Sequence, residues 1–390
     1  MERRTFLRTG LATLGVAGVG GVGTLEALER RFPATDRRGW RLDRMAPGSA
    51  AMDGALRLDS NENPLGLSPA GRRAIIDGLG EANRYPRESR QALIEALARK
   101  HGVEKENLVL GSGSTEVLQM AVQALGGPDA RLVVADPTFE DVGSYADPLA
   151  YHLIEVPLNE SFQHDLDRMR DSLKGSSSPA LVYICNPNNP TGTVTPCAEV
   201  DAWIESAPAH VTFLIDEAYF EYVDDPGYWT SIPWTRKRPN VVIARTFSKI
   251  YGMAGMRLGY AIAREETAAR IRRFRSKNNA NQLALVAALA SLGDSDLEAR
   301  SLRANRDGMR KLTDCLDRLG LERIPSQTNF LMHRVPGDLK QYIGRMKEHG
   351  ARVGRPFPPM LEYNRVSIGL PEEMERFCGI LHEFRERGWI

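Results

Sequence analysis

The sequence predicts an α/β protein: a large lobe on a mostly parallel (mixed) sheet with flanking helices, followed by a smaller α+β lobe. Three observations carry that expectation. Short β-rich runs recur at Leu132–Ala135, Leu181–Cys185, Val211–Ile215 and Val241–Ala244, with helical stretches such as Thr115–Leu125 and Leu166–Leu173 around them. Strands that alternate with helices imply βαβ units and a parallel sheet. Polar, chemistry-bearing segments follow directly on three of these runs, where ligands gather in open α/β sheets. Beyond Ala268 the helical content rises, from Ala268 to Leu292 and from Leu297 to Leu319. Two strand candidates, Asn329–Val335 and Arg365–Ile368, then precede an amphipathic helix from Glu372 to Arg387.

Taken in order, the chain opens on a basic stretch, residues 1–8, followed by an uncharged one from Thr9 to Leu25 interrupted by glycines. A basic segment followed by a weakly apolar one is the layout of a secretion signal. Arg3 and Arg4, followed by Thr5, Phe6, Leu7 and Arg8, resemble the twin-arginine signal, a receptor-read address. Such a signal implies the twin-arginine export machinery as a partner and an exported, periplasmic or membrane-tethered protein. Without it the chain is cytoplasmic. No small-x-small cleavage site follows, so cleavage and retention as an anchor both stay open. The expected division is a signal over 1–32, a linker and N-terminal arm over 33–57, a large lobe over 58–275 and a small lobe over 276–390.

Composition excludes several classes. The chain has 390 residues, 42% of them hydrophobic, enough to bury a core without cross-links. Its 51 Lys and Arg against 50 Asp and Glu leave a net charge of +1, which offers no general attraction to nucleic acid. Four cysteines without a CxxC pair suggest neither a disulfide framework nor a zinc site, and the histidines show no metal-ligand spacing. No metal and no nucleic-acid partner is expected. The run Arg270, Arg272, Arg273, Arg275, Lys277 reads as a solvated helix face or subunit rim. Cys185 reads as a small apolar strand residue.

The most informative segment runs from Arg245 to Tyr260 and begins where the strand Val241–Ala244 ends. It offers an amine (Lys249), two hydroxyls (Thr246, Ser248), several glycines and a guanidinium (Arg257). A ligand with an aldehyde and an anionic group would find a Schiff-base partner and a phosphate clamp there. Leu181–Cys185 runs into Asn186-Pro-Asn-Asn-Pro-Thr-Gly192, a turn rich in amide side chains, and Phe213–Ile215 runs into Asp216-Glu-Ala-Tyr219. A carboxylate at a buried strand end is costly unless it faces a cation, such as a protonated ring nitrogen. Gly111-Ser-Gly-Ser-Thr-Glu116 lies before the helix Val117–Leu125, where backbone amides form a phosphate seat. It lacks the GxGxxG spacing and the lysine of nucleotide-binding loops.

These four pieces, in this order, resemble the fold-type I pyridoxal-phosphate enzymes, specifically the class I/II aminotransferases of the histidinol-phosphate aminotransferase group. The likeness spans about residues 56 to 388. It includes Leu58-Asp-Ser-Asn-Glu-Asn-Pro64, Arg84-Tyr-Pro86, Asp136-Pro-Thr-Phe139, Ser326-Gln-Thr-Asn-Phe330 and Arg365-Val-Ser-Ile-Gly369. The lysine and Asn-Pro-Thr-Gly motifs are specific for the superfamily, and the others point to the subgroup.

The resemblance implies pyridoxal 5′-phosphate as cofactor and transfer of an amino group between an amino acid or histidinol-phosphate-like amine and a 2-oxo acid such as 2-oxoglutarate. Lys249 would hold the cofactor as a Schiff base and shuttle the proton. Asp216 would face the ring nitrogen, Asn189 and Tyr219 the phenolic oxygen, and Phe139 the ring face. Ser114, Thr115, Thr246, Ser248 and Arg257 would hold the phosphate. Tyr85 would reach that phosphate from a neighbouring subunit, which implies a homodimer with a shared site. Arg365 would bind the substrate's carboxylate or phosphate, Arg355 would be a second anion contact, and Asn329 a substrate neighbour. The chain departs from the group in placing Phe139 where Tyr is common, and in the prolines 356, 358 and 359 between Arg355 and Arg365. An export signal also fits poorly with histidine biosynthesis, a cytoplasmic pathway. The same scaffold serves amino-acid decarboxylation, elimination or oxidation when a different Cα bond stands perpendicular to the ring, and sequence does not reveal that angle.

Overall fold

A computed structural model describes residues Gly54–Ile390, so the expected signal and nearly all of the linker lie outside the described residues. Strand β1 (Leu56–Leu58) opens this part of the chain. Seven later strands form the central sheet: β2 (Leu108–Gly111), β3 (Arg131–Asp136), β4 (His152–Pro157), β5 (Ala180–Cys185), β6 (Val211–Asp216), β7 (Val241–Thr246) and β8 (Gly259–Ala263). Their order is β2-β8-β7-β6-β5-β3-β4. β3 to β7 pair parallel, and β8 runs antiparallel to both β7 and β2. The mixed, mostly parallel sheet expected from the alternating pattern is present.

β5, β7 and β8 are buried at every position, which explains their unbroken apolar character: helices cover both faces. The period of two still sorts the side chains. Val182 and Ile184 of β5 join Phe213, Ile215 and Ile243 in one core, whereas Leu181 and Tyr183 meet Leu214 and Val242 in the other. The helix Gly113–Leu125 seals that second face with Val117, Leu118 and Ala121.

The small lobe contains the antiparallel pair β9 (Phe330–Arg334) and β11 (Tyr363–Ser367) and the strand β10 (Ala351–Val353), which pairs parallel with β1. Leu56 and Leu58 therefore share a core with Leu312, Leu316, Val366, Phe377 and Phe384. Two details differ from the sequence expectation. The helical stretch Ala268–Leu292 is two helices, Glu265–Arg272 and Gln282–Leu292. Asn281 separates them because its side chain accepts the Ala284 amide, an N-cap that starts a new helix. Ala284, Leu285, Ala287 and Ala288 of the second helix also pack into the core beside the large sheet, so the sheet's packing extends past position 275. No helix among the described residues is long and apolar enough to cross a membrane.

Candidate active site

A cavity of about 440 Å³ opens beyond the carboxyl ends of the parallel strands. Of the residues singled out in the sequence, Ser114, Thr115, Phe139, Asn189, Asp216, Tyr219, Thr246, Ser248, Lys249, Arg257, Arg355 and Arg365 all line it. Parallel topology accounts for the convergence, since β3, β5, β6 and β7 deliver Phe139, Asn189, Asp216 and Lys249 to the same side of the sheet. Asn329 and Tyr85 are placed elsewhere.

The base of the site is Asp216, 3% exposed. Tyr183 Oη donates to its Oδ2 at 3.0 Å and the Ala218 amide donates to its Oδ1 at 3.0 Å. Burial pushes the carboxyl up to about 6, against the pull of these two donors. A cation beside it would reverse that penalty, so the environment fits a ring nitrogen that carries a proton.

Lys249 lies beyond the end of β7. Its Nζ donates to the Asn61 and Ser60 carbonyls at 3.2 and 3.4 Å and sits 5.5 Å from the centre of the Tyr219 ring. Burial, then the nearby Arg365 charge, lowers the amine to about 8. A lysine with a depressed pKa supplies the neutral amine that carbonyl chemistry needs. Tyr219, held edge-on to Phe330 at 5.1 Å, accepts from Asn61 Nδ2 at 3.0 Å.

The corner expected to seat the phosphate is close-packed. The N-terminus of the helix Gly113–Leu125 meets Arg257, whose Nη2 lies 3.5 Å from Thr115 Oγ1. Thr246 Oγ1 donates to Ser248 Oγ at 3.0 Å and accepts the Ser248 amide at 3.1 Å. Gly113 has φ +83°, and a Cβ there would overlap the Arg257 guanidinium. Helix amides, hydroxyls and a guanidinium turned to one cavity wall suit a phosphate dianion.

Two further arginines line the cavity. Arg365 is 7% exposed, and its Nη atoms donate to Asn189 Oδ1 at 2.5 Å and the Asp59 carbonyl at 2.8 Å, while its Nε is buried without a partner among the described residues. Burial lowers its pKa to about 10, so it stays charged at neutral pH. Arg355 is half exposed and meets Glu140 at 2.5 Å across the cavity mouth. Both guanidiniums lie over the Phe357 ring, at 4.3 and 4.6 Å. The prolines after Arg355 thus leave it at the cavity mouth.

Asn329 spends its amide on the Asn61 and Glu62 carbonyls, at 3.0 and 3.2 Å. It braces the segment under Lys249 and does not line the cavity. Tyr85 stands on the surface, 72% exposed. Sequence reasoning assigned no role to Asn61, Tyr183, Glu140 or Phe357. Tyr183 was within reach of the pattern, because it lies two residues before Cys185 and therefore on the same strand face. Asn61 is fixed by contacts from distant parts of the chain: its amide donates to Ser367 Oγ at 2.7 Å. Burial raises the Cys185 thiol, which leaves it protonated and no nucleophile. Among the described residues no His, Cys, Asp and Glu cluster could hold a metal ion.

Comparison with known proteins decides between the chemistries such a site can host. Residues 53–381 match the family model of aminotransferases of class I and II. A histidinol-phosphate aminotransferase from Nitrosococcus oceani is 40% identical over 338 residues, which cover 85% of this chain and 90% of that relative. One from Cupriavidus pinatubonensis is 38% identical, covering 84% and 88%. The chain belongs to the class I and II aminotransferases. Within that family it is similar to the histidinol-phosphate group. The crystal structure of histidinol-phosphate aminotransferase from Sinorhizobium meliloti, in complex with pyridoxal-5′-phosphate, superposes with a TM-score of 0.79. It is 27% identical, and the match covers 94% of this chain and 95% of that one. The fold is accordingly that of the fold-type I transferases. This aminotransferase uses pyridoxal phosphate and moves an amino group between an amine and a 2-oxo acid. An L-threonine-O-3-phosphate decarboxylase from Porphyromonas gingivalis shares the fold at 22% identity and a TM-score of 0.73.

Proposed function

We propose that the amine is histidinol phosphate or a close analogue, and that the acceptor is a 2-oxo acid such as 2-oxoglutarate. The observation that carries this reading is the buried Arg365, whose guanidinium has only neutral acceptors and an unpartnered Nε. Such a cation awaits an anion, either a carboxylate or a phosphate. The similarity to histidinol-phosphate aminotransferases supports the phosphate.

Pyridoxal phosphate, when bound, supplies an aldehyde for the amine and a protonated ring that accepts the electron pair of a broken Cα bond. In this reading the chain's own residues do the rest. Asp216 stays ionised and holds the proton on the ring nitrogen, with Tyr183 and the Ala218 amide fixing its orientation. Lys249 Nζ would hold the cofactor and, as the base, would carry the proton between the substrate Cα and the cofactor carbon C4′. Asn189 and Tyr219 face the ring oxygen and Phe139 the ring. Ser114, Thr115, Thr246, Ser248 and Arg257 hold the phosphate. Arg365 orients the substrate's anionic group, with Arg355 as an outer anion contact.

Exposed Tyr85 suits a contact to the phosphate in a partner subunit, and the exposed Leu79 and Phe274 suit a subunit interface. The reading includes a homodimer with a shared site. The Arg3-Arg4 pattern supports export by the twin-arginine route, and finding the intact chain in the cytoplasm would refute it. A division into two lobes remains part of the proposal, with its boundary beyond Leu292, since that helix packs beside the large sheet, and with β1 supplying the small lobe's parallel strand. The substrate assignment is tested by kcat/KM over a panel of amines with 2-oxoglutarate as acceptor. Histidinol phosphate is expected to lead the panel by about a hundredfold or more, the scale of a buried ionic contact. A lead by aromatic or other amino acids would discard it.

A further inference from the structure

Arg355 does not face the cavity as a free cation. Its Nη2 lies 2.5 Å from Glu140 Oε1, and the pair spans the mouth from the loop after β3 to the loop after β10. Glu140 and Asp141 both line the cavity, and Asp141 feels the Glu140 and Arg355 charges in opposite directions. Arg365, one Phe357 ring further in, has no carboxylate partner among the described residues. The two guanidiniums thus offer unequal welcomes to anions. The inner one is uncompensated, and the outer one is neutralised by a side chain of the chain itself.

We propose that Glu140 is a specificity-determining residue that sets how the site ranks substrates with a second anionic group against those with only one. A ligand with one anion docks at Arg365 and leaves the mouth pair intact. A ligand with two, such as a 2-oxo dicarboxylate, reaches Arg355 only by displacing Glu140, and then lies beside the freed carboxylate. Each dicarboxylate bound therefore costs one ion pair that a monocarboxylate does not. The inference rests on the assignment of Arg365 and Arg355 as anion contacts. It does not depend on histidinol phosphate being the amine.

The test uses the cofactor-loaded enzyme and two unreactive probes of equal chain length, glutarate and pentanoate, bound while the cofactor absorbance is followed. Glu140→Gln is expected to bind glutarate about two- to fivefold more tightly, the range of an exposed ion pair, with pentanoate unchanged. Glu140→Asp should retain most of the wild-type discrimination. Arg355→Gln should abolish the glutarate response to Glu140→Gln in the double variant. Equal shifts for both probes, no shift for either, or a full response persisting without Arg355 would each overturn the proposal. An amine panel in which histidinol phosphate fails, together with the expected glutarate shift, would reject the substrate assignment and keep the role of Glu140.

Discussion

At the scale of single residues, the site is built from groups whose environments work against their ordinary charge states. Asp216 is pushed up by burial and Lys249 is pushed down, and both perturbations are those a bound cofactor would use. The amine value has a direct consequence. Half of Lys249 is neutral at about pH 8, and only the neutral amine attacks an aldehyde. Capture of pyridoxal phosphate by apoprotein should therefore accelerate as the pH rises through about 8 and level off above it. Stopped-flow absorbance across pH 6 to 10 checks this, and a midpoint near that of a free lysine would contradict it. Lys249, Asp216 and Arg257 were legible in the sequence because each sits in a motif that begins at a recognisable strand end. Asn61 and Tyr183 were not assigned, since their partners, Ser367 and Asp216, lie 306 and 33 positions away. Glu140 was not assigned either, since its partner Arg355 lies in a distant loop of the chain.

Among elements, the corner where β2 meets the helix Gly113–Leu125 concentrates the steric constraint. Gly113 has a left-handed φ, its Cβ position overlaps Arg257, and Gly259 is packed equally closely against the Ser114 amide. Gly113→Ala forces the guanidinium away and strains the backbone by about 1 kcal/mol or more. Cofactor affinity is expected to fall by about tenfold or more, with Tm lower by a few degrees. Fluorescence titration and a thermal scan measure the two effects, and unchanged affinity would remove Arg257 from the phosphate seat. The elements read most accurately from sequence were the parallel strands β3, β5, β6 and β7 and the long helix Leu297–Arg318, whose apolar period is strong, whereas β8, equally buried, was not read as a strand. The short strands β1, β2 and β10 have three or four residues, too few for a period to show. Edge strand β4 is largely exposed, which hides its alternation.

For the whole molecule, the proposed shared-site dimer makes a prediction that no property of one chain can satisfy. Tyr85→Ala should weaken the partner's phosphate contact, and Lys249→Ala should abolish turnover in its own pocket. A mixed dimer of Tyr85→Ala and Lys249→Ala chains rebuilds one pocket with Lys249 from the first chain and Tyr85 from the second. Its kcat/KM should exceed that of either homodimer and approach half of wild type, measured after co-expression with two different tags. Additive behaviour of the parents would place Tyr85 outside the site. The fold class itself was plain from the strand–helix alternation, because a parallel sheet requires it. The pairing of β1 with β10 across the length of the chain was not, since nothing local encodes a contact between positions 56 and 351.

This pocket is proposed to take the amino group of histidinol phosphate by way of Lys249. A single-turnover reaction of the aldehyde-form enzyme with histidinol phosphate, followed by cofactor absorbance, tests it most directly. Rapid and complete conversion to the amine form is expected, reversed by 2-oxoglutarate and absent in Lys249→Ala. Persistence of the aldehyde spectrum with histidinol phosphate, or an equal response in Lys249→Ala, would contradict it.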